Sequence, residues 1–189
     1  MRRLPQVVLI ATTLVSAWLL MQAVHECGHA LAGWLTGGEV RRVILHPLAI
    51  SRTDLGANPR PLLVCWAGPM FGVVVPILIW LLAKSLNWSV AFWLRFFAGF
   101  CLIANGAYLA VGSFDHIGDA GDLLTHGAPI WLLWLFGLTT IPAGLRLWHG
   151  LGPQFGLGPD GHPVSWRSAS LIATLLIAIM IVEISLSPR

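Results

Sequence analysis

Apolar residues in this chain gather into long continuous blocks, without the two- or three-residue alternation of surface strands and helices. Five blocks are long enough to cross about 30 Å of hydrocarbon as helices. They fall near Pro5–Leu35, Pro61–Ala83, Trp93–Val111, Ala128–Leu147 and Arg167–Leu186. The first is longer than one crossing requires, so its last turns are expected to tilt or emerge at an interface. The fifth has the shortest charge-free core, Ser168 to Val182, and Arg95 lies near enough to the start of the third to snorkel outward. The most polar stretch, Thr36 to Arg60, separates the first two blocks. There Gly37-Gly38 ends the helix, Val40–Leu45 carries β-type residues, and His46-Pro47 breaks them, which predicts a short strand or hairpin. His149 to Pro163, rich in glycine and proline, reads as a plain loop. The pattern predicts an all-α polytopic membrane protein of about five transmembrane helices, with a short β-strand or hairpin segment between spans one and two. Residues 1–189 are expected to form a single membrane domain.

Composition agrees. The chain is 57% hydrophobic and 10% charged, with a mean hydropathy of +0.79, whereas a soluble domain carries about 25% charged residues. An integral, multi-pass protein of a cell membrane, with the lipid bilayer as its partner, is the expectation. The net charge of +3 comes from scattered arginines with no long basic run, so a nucleic-acid partner is not expected. Arg2, Arg3, Lys84, Arg95, Arg146 and Arg167 fall on one side of the membrane, and Arg41, Arg42, Arg52, Arg60 and Arg189 on the other. That balance leaves orientation undecided. Trp18, Trp34, Trp80, Trp88, Trp131, Trp148 and Trp166 fall near span ends or motif edges, as amphipathic rings at a headgroup layer do. The opening Met1-Arg2-Arg3 imitates a signal peptide, but the apolar run continues into the motif described next without a small-x-small cleavage site. A retained span is expected. Cys27, Cys65 and Cys101 lie in or beside apolar stretches and read as small buried residues, not as a disulfide framework.

His25-Glu26-Cys27-Gly28-His29 is an HExxH motif at the end of the first block. Four residues apart on a helix, the two imidazoles project from one face and can share one zinc ion, with Glu26 placed to take a proton from the water that the ion activates. No charged side chain occurs from Leu4 to Val24. Ionisable groups at membrane depth are costly and by default signal function. A hydrolytic zinc site takes a third protein ligand. The candidates are Asp115, Asp119 and Asp122, just after the third span, with His116 and His126 as nearby alternatives. Asp119 would otherwise serve as an N-cap for a helix over residues 120–125. The Gly-x-x-x-Gly spacing in Ala67-Gly68-Pro69-Met70-Phe71-Gly72 allows a second helix to come close and could seat the metal-bearing one. Asn105, a lone amide in the middle of the third span, needs a partner: another helix, a water or a substrate carbonyl. Helix packing is the preferred reading.

The chain resembles the site-2 protease family of intramembrane zinc metalloproteases. The resemblance rests on Val24-His25-Glu26-Cys27-Gly28-His29-Ala30-Leu31-Ala32, on Thr36-Gly37-Gly38-Glu39-Val40 with its strand region, on Ala67-Gly68-Pro69, and on an aspartate after the third span. It covers about residues 18–125, a three-helix catalytic core, and leaves two additional C-terminal spans at about 128–186. It implies His25 and His29 as ligands of one Zn2+, Glu26 as catalytic base, and a third ligand from an Asn-x-x-Pro-x-x-x-Leu-Asp-Gly stretch. Gly118-Asp119-Ala120-Gly121 lacks the Leu and Pro of that pattern; Asp119 is the choice, then Asp122, then Asp115, and Asn105 is a loose counterpart of the family asparagine. The implied reaction is hydrolysis of peptide bonds in a membrane protein or peptide substrate by zinc-activated water. The substrate helix must unwind, and its extended segment could pair with the Val40–Leu45 strand. The family analogy sets the site toward the cytoplasm and the amino terminus outside, against the mild opposing pull of Arg2 and Arg3.

Two other classes of function fit parts of the pattern: a non-proteolytic metal-binding scaffold, and a small ion transporter in which the histidines and aspartates form a path. Glu26 favours the enzyme, because a scaffold has no use for a general base.

Overall fold

The structure, a computed structural model, describes residues 3–187. Arg2 and Arg189, two of the charges weighed for orientation, lie outside the described residues. The order of elements is α1 (Leu4–Leu35), β1 (Val40–Ile44), β2 (Arg52–Leu55), α2 (Pro61–Ser85), α3 (Ala91–Asp115), α4 (Gly118–Thr125), α5 (Ile130–Trp148), a 3₁₀ turn (Gly152–Phe155) and α6 (Trp166–Leu186). Five of the helices, α1, α2, α3, α5 and α6, are long and apolar enough to cross a membrane, and the chain is an integral multi-pass membrane protein.

Local chemistry sets the element ends. Pro5 and Pro61 lie in the first turns of α1 and α2, where a missing N–H costs nothing. After α1, Gly37 takes a φ of +77°, a left-handed conformation that ends the helix cheaply. The Ser165 hydroxyl accepts the Ser168 N–H at 3.1 Å and caps α6. Inside α2, Pro69 and Pro76 deprive the Cys65 and Gly72 carbonyls of their ladder donors, which loosens this helix where it faces α1 and α3.

Helices α1 and α2 pair closely, α2 also packs on α3, and α5 lies along α3. Small residues allow these approaches. A Cβ on Gly28 of α1 would collide with the Ala67 carbonyl of α2, and one on Gly144 of α5 would lie 2.6 Å from the Gly99 carbonyl of α3. In a bilayer, where no water is left to expel, such close van der Waals contact is what joins helices. A core cluster of Leu9, Ala17, Met21, Trp93, Phe97, Cys101, Ala169 and Ile172 ties α1, α3 and α6 together.

Strands β1 and β2 form one antiparallel hairpin that pairs Val40 with Leu55, Val43 with Thr53 and Ile44 with Arg52, with an irregularity between Val40 and Arg42. The hairpin runs back along α1. Its open end lies by Gly33, where Val40 and Leu55 sit, and its turn reaches the level of Gln22, whose side-chain oxygen accepts the Ser51 N–H at 3.4 Å. Helix α6 stops there, and the hydroxyl of Ser187, just past its end, accepts the Leu45 N–H at 2.7 Å. The hairpin thus takes over beside α1 where α6 ends.

Two expectations need correction. The His149–Pro163 segment is not a plain loop, because Leu151 and Phe155 are buried in the core cluster and the Gln6 side chain donates to the Phe155 and Gly156 carbonyls at 3.0 and 2.8 Å. Two apolar side chains inside a Gly- and Pro-rich stretch are enough to fold it back onto the bundle. Of the cysteines, Cys101 alone is buried; Cys65 is half-buried and Cys27 exposed. Lying two residues from each histidine, Cys27 points away from the imidazole face, into an open groove with Ala30, Leu31, Trp34, Val40 and Phe71.

Candidate metal centre

His25 and His29 lie on the inner face of α1, both buried, about 15 Å and about 9 Å before the helix ends at Leu35. Their Nε2 atoms stand 3.0 Å apart. The Asp119 Oδ2 lies 2.8 Å from Nε2 of His25 and 3.1 Å from Nε2 of His29. Among the described residues these three form the one group of His, Cys, Asp or Glu ligand atoms lying within 4.8 Å of one another.

The other ring nitrogens reveal which tautomers are present. The Asn105 Nδ2 donates to the Cys101 carbonyl at 2.9 Å, which turns Oδ1 toward His25 Nδ1 at 2.7 Å. An amide oxygen accepts, so His25 carries its proton on Nδ1. His29 Nδ1 lies 2.8 Å from the Val64 carbonyl, another acceptor, with the same consequence. In the neutral rings both Nε2 atoms then offer lone pairs toward each other and toward a carboxylate oxygen. Three converging lone pairs with no donor among them fit a cation. A tetrahedral zinc with bonds of about 2.0–2.1 Å sets its ligand atoms about 3.3 Å apart, so an outward shift of about 0.2–0.5 Å accommodates the ion.

Glycine makes room for this arrangement. The His29 ring occupies the space that a Cβ on Gly68 would fill, which is how the imidazole reaches the Val64 carbonyl one turn earlier on α2. A Cβ on Gly72 would come within 2.7 Å of the Asn105 amide. The Gly-x-x-x-Gly spacing thus admits two polar side chains as well as a neighbouring helix.

Asp119 does not cap its helix. Ile117 holds the N-cap position of α4 with no side-chain cap, while Asp119, in the first turn, directs its carboxylate at the histidines. The Tyr108 hydroxyl accepts the Asp119 N–H at 3.1 Å, and the Tyr108 ring stands edge-on to His25. Asp115, Asp122, His116 and His126 are all exposed. His116 takes the left-handed conformation that closes α3, and His126 Nδ1 bonds the Asp122 carbonyl at 2.7 Å.

Glu26, only 5% exposed, is held by the hairpin. The Ser51 hydroxyl donates to its Oε1 at 3.0 Å, and the Thr53 hydroxyl to its Oε2 at 2.8 Å. Neither residue was visible as functional in the sequence, since a serine and a threonine in a polar connection look like ordinary turn residues. Asn105 gave a signal through its isolation in an apolar span. The Val64 carbonyl gave none, because any residue supplies one.

The family model described as Peptidase M50B-like matches residues 5–109, more than half of the chain, spanning α1, the hairpin, α2 and most of α3. Asp119 lies ten residues beyond that match. No curated protein and no solved structure matches the chain. An HExxH on a membrane helix, a hairpin over its glutamate and a glycine-lined second span all fall inside the matched stretch, and the chain belongs to the Peptidase M50B-like family, a relationship to the site-2 proteases.

Proposed function

We propose that this protein is an intramembrane zinc metalloendopeptidase that hydrolyses peptide bonds of membrane-embedded or membrane-adjacent proteins. The observation that carries the reading is the meeting of three lone pairs at His25, His29 and Asp119, with both Nδ1 protons already committed to Asn105 and the Val64 carbonyl. His25, His29 and Asp119 hold one zinc ion. When bound, zinc supplies Lewis-acid polarisation and makes water nucleophilic at neutral pH.

The remaining work belongs to the chain. Glu26, one residue along the helix from His25, takes the proton of the attacking water and passes it to the leaving amine nitrogen. Asn105 and the Val64 carbonyl keep the two imidazoles in the Nδ1-protonated tautomer, so their Nε2 atoms stay free to bind. The substrate's transmembrane helix unwinds locally, and its extended segment adds to the edge of the hairpin, where main-chain pairing holds the peptide bond straight.

Glu26→Gln tests the reading. In liposomes with a single-span peptide substrate, the variant retains one zinc per chain and loses cleavage by at least about 100-fold. Equal cleavage by the variant and the parent refutes the peptidase assignment.

A further inference from the structure

The catalytic assignment of Glu26 leaves open what keeps a buried carboxylate in one orientation at the end of three rotatable bonds. Helix α1 alone does not do so: one turn away on either side stand Ala23 and Ala30, which carry no polar group, Gln22, whose oxygen takes the Ser51 N–H, and His29, whose Nδ1 is engaged by the Val64 carbonyl. Both oxygens are held from the hairpin. Thr53 lies on β2 and Ser51 just before it, so their hydroxyls descend onto Glu26 from the same side, at 2.8 and 3.0 Å. The Thr53 hydroxyl also lies 3.3 Å from the Glu26 main-chain carbonyl, which pins the strand to the helix at that residue.

The hairpin is itself anchored at two further points. Ser51 N–H bonds Gln22 one turn before Glu26, and the Leu45 N–H bonds Ser187 at the end of α6. Helix α6 lies outside the stretch that matches the family model, so the last span contributes to the site indirectly, by fixing the strap that fixes Glu26.

We propose that Ser51 and Thr53 are positioning residues for Glu26, and that the hairpin couples the seating of an extended polypeptide to the orientation of the base. The inference rests on Glu26 acting as general base. A hydroxyl that donates to each carboxylate oxygen leaves each with a lone pair for a water proton. A polypeptide segment added to the hairpin edge extends the sheet whose second strand carries Thr53, so its docking stiffens the contact that aims Glu26. The substrate class that uses this device is one that presents an extended main chain, not an intact helix.

Thr53→Val keeps the shape and removes the hydroxyl; Thr53→Ser keeps the hydroxyl; Ser51→Ala and the Ser51→Ala/Thr53→Val pair complete the set. Each full-length protein is reconstituted in liposomes with a quenched-fluorescence single-span peptide whose helix is broken by Gly-Pro. Thr53→Val is expected to lower kcat about tenfold with KM within about twofold of the parent, and the pair to lower it further. Thr53→Ser restores kcat, and zinc stays at one per chain throughout. An activity-independent readout accompanies this: the infrared difference between the parent and Glu26→Gln isolates the Glu26 carboxylate band, which Thr53→Val shifts and Thr53→Ser returns. A band unmoved in the pair, or parental kcat in the pair while Glu26→Gln is inactive, overturns the positioning role alone. Full activity of Glu26→Gln overturns the peptidase reading instead.

Discussion

Replacing Asn105 by leucine separates a ligand-orienting role from a packing role. The side chain is 1% exposed in the middle of α3, and leucine fills a similar volume with no polar atom. Two bonds are lost: the 2.7 Å contact from Asn105 Oδ1 to His25 Nδ1, and the 2.9 Å contact from Nδ2 to the Cys101 carbonyl. The Cys101 carbonyl keeps its place in the helix ladder, so the second loss is minor. The first leaves the His25 Nδ1–H buried without an acceptor, which costs about 1–3 kcal/mol. His25 escapes by rotating, or by moving its proton to Nε2, and either response withdraws the lone pair offered to the metal. Removal of an outer partner from a zinc-binding histidine lowers affinity about 10- to 100-fold, which corresponds to about 1.4–2.7 kcal/mol. The two routes to the magnitude agree. Competition for zinc against a chromophoric chelator in detergent measures it. Thr140→Val serves as the control, because the Thr140 hydroxyl is also buried but bonds only the Phe136 carbonyl of its own helix. Zinc affinity within a factor of about two of the parent in Asn105→Leu, or an equal loss in Thr140→Val, refutes the reasoning.

Gly68→Ala is expected to weaken zinc binding by about tenfold or more while the helices stay paired, since the atoms nearest the new methyl are those of the His29 ring, which it displaces from the Val64 carbonyl; chelator competition, with a thermal melt as control, reads both effects. Acidification should release zinc, because protons compete with the ion for the ligand lone pairs. Affinity therefore rises with pH, and metal retention measured by dialysis at stepped pH checks it.

The five spans were legible because length and hydropathy alone decide whether a helix crosses a bilayer, and a chain with 10% charged residues leaves few ways to misplace them. The hairpin was half legible: the β-type run at Val40 and its break at His46-Pro47 located the first strand, whereas Arg52–Leu55, with two charges in four residues, carried no strand pattern of its own. It is a strand because its partner and α1 make it one. The HExxH spacing fixed which two imidazoles meet, as helical geometry is local. The carboxylate that joins them depends on how α3 ends: His116 turns left-handed, α4 starts at Gly118, and Asp119 swings inward while Asp115 and Asp122 stay outside. No periodicity in the sequence encodes that reversal. Asn105 read as a helix-packing amide because its partner, eighty residues earlier, is invisible to any local pattern.

Metal analysis of the purified protein beside Asp115→Ala, Asp119→Ala and Asp122→Ala tests the central claim most directly. One zinc per chain is expected in the parent and in the Asp115 and Asp122 variants, with Asp119→Ala alone falling well below. A parent free of stoichiometric zinc, or an Asp119→Ala variant that binds it as the parent does, contradicts a centre built from His25, His29 and Asp119.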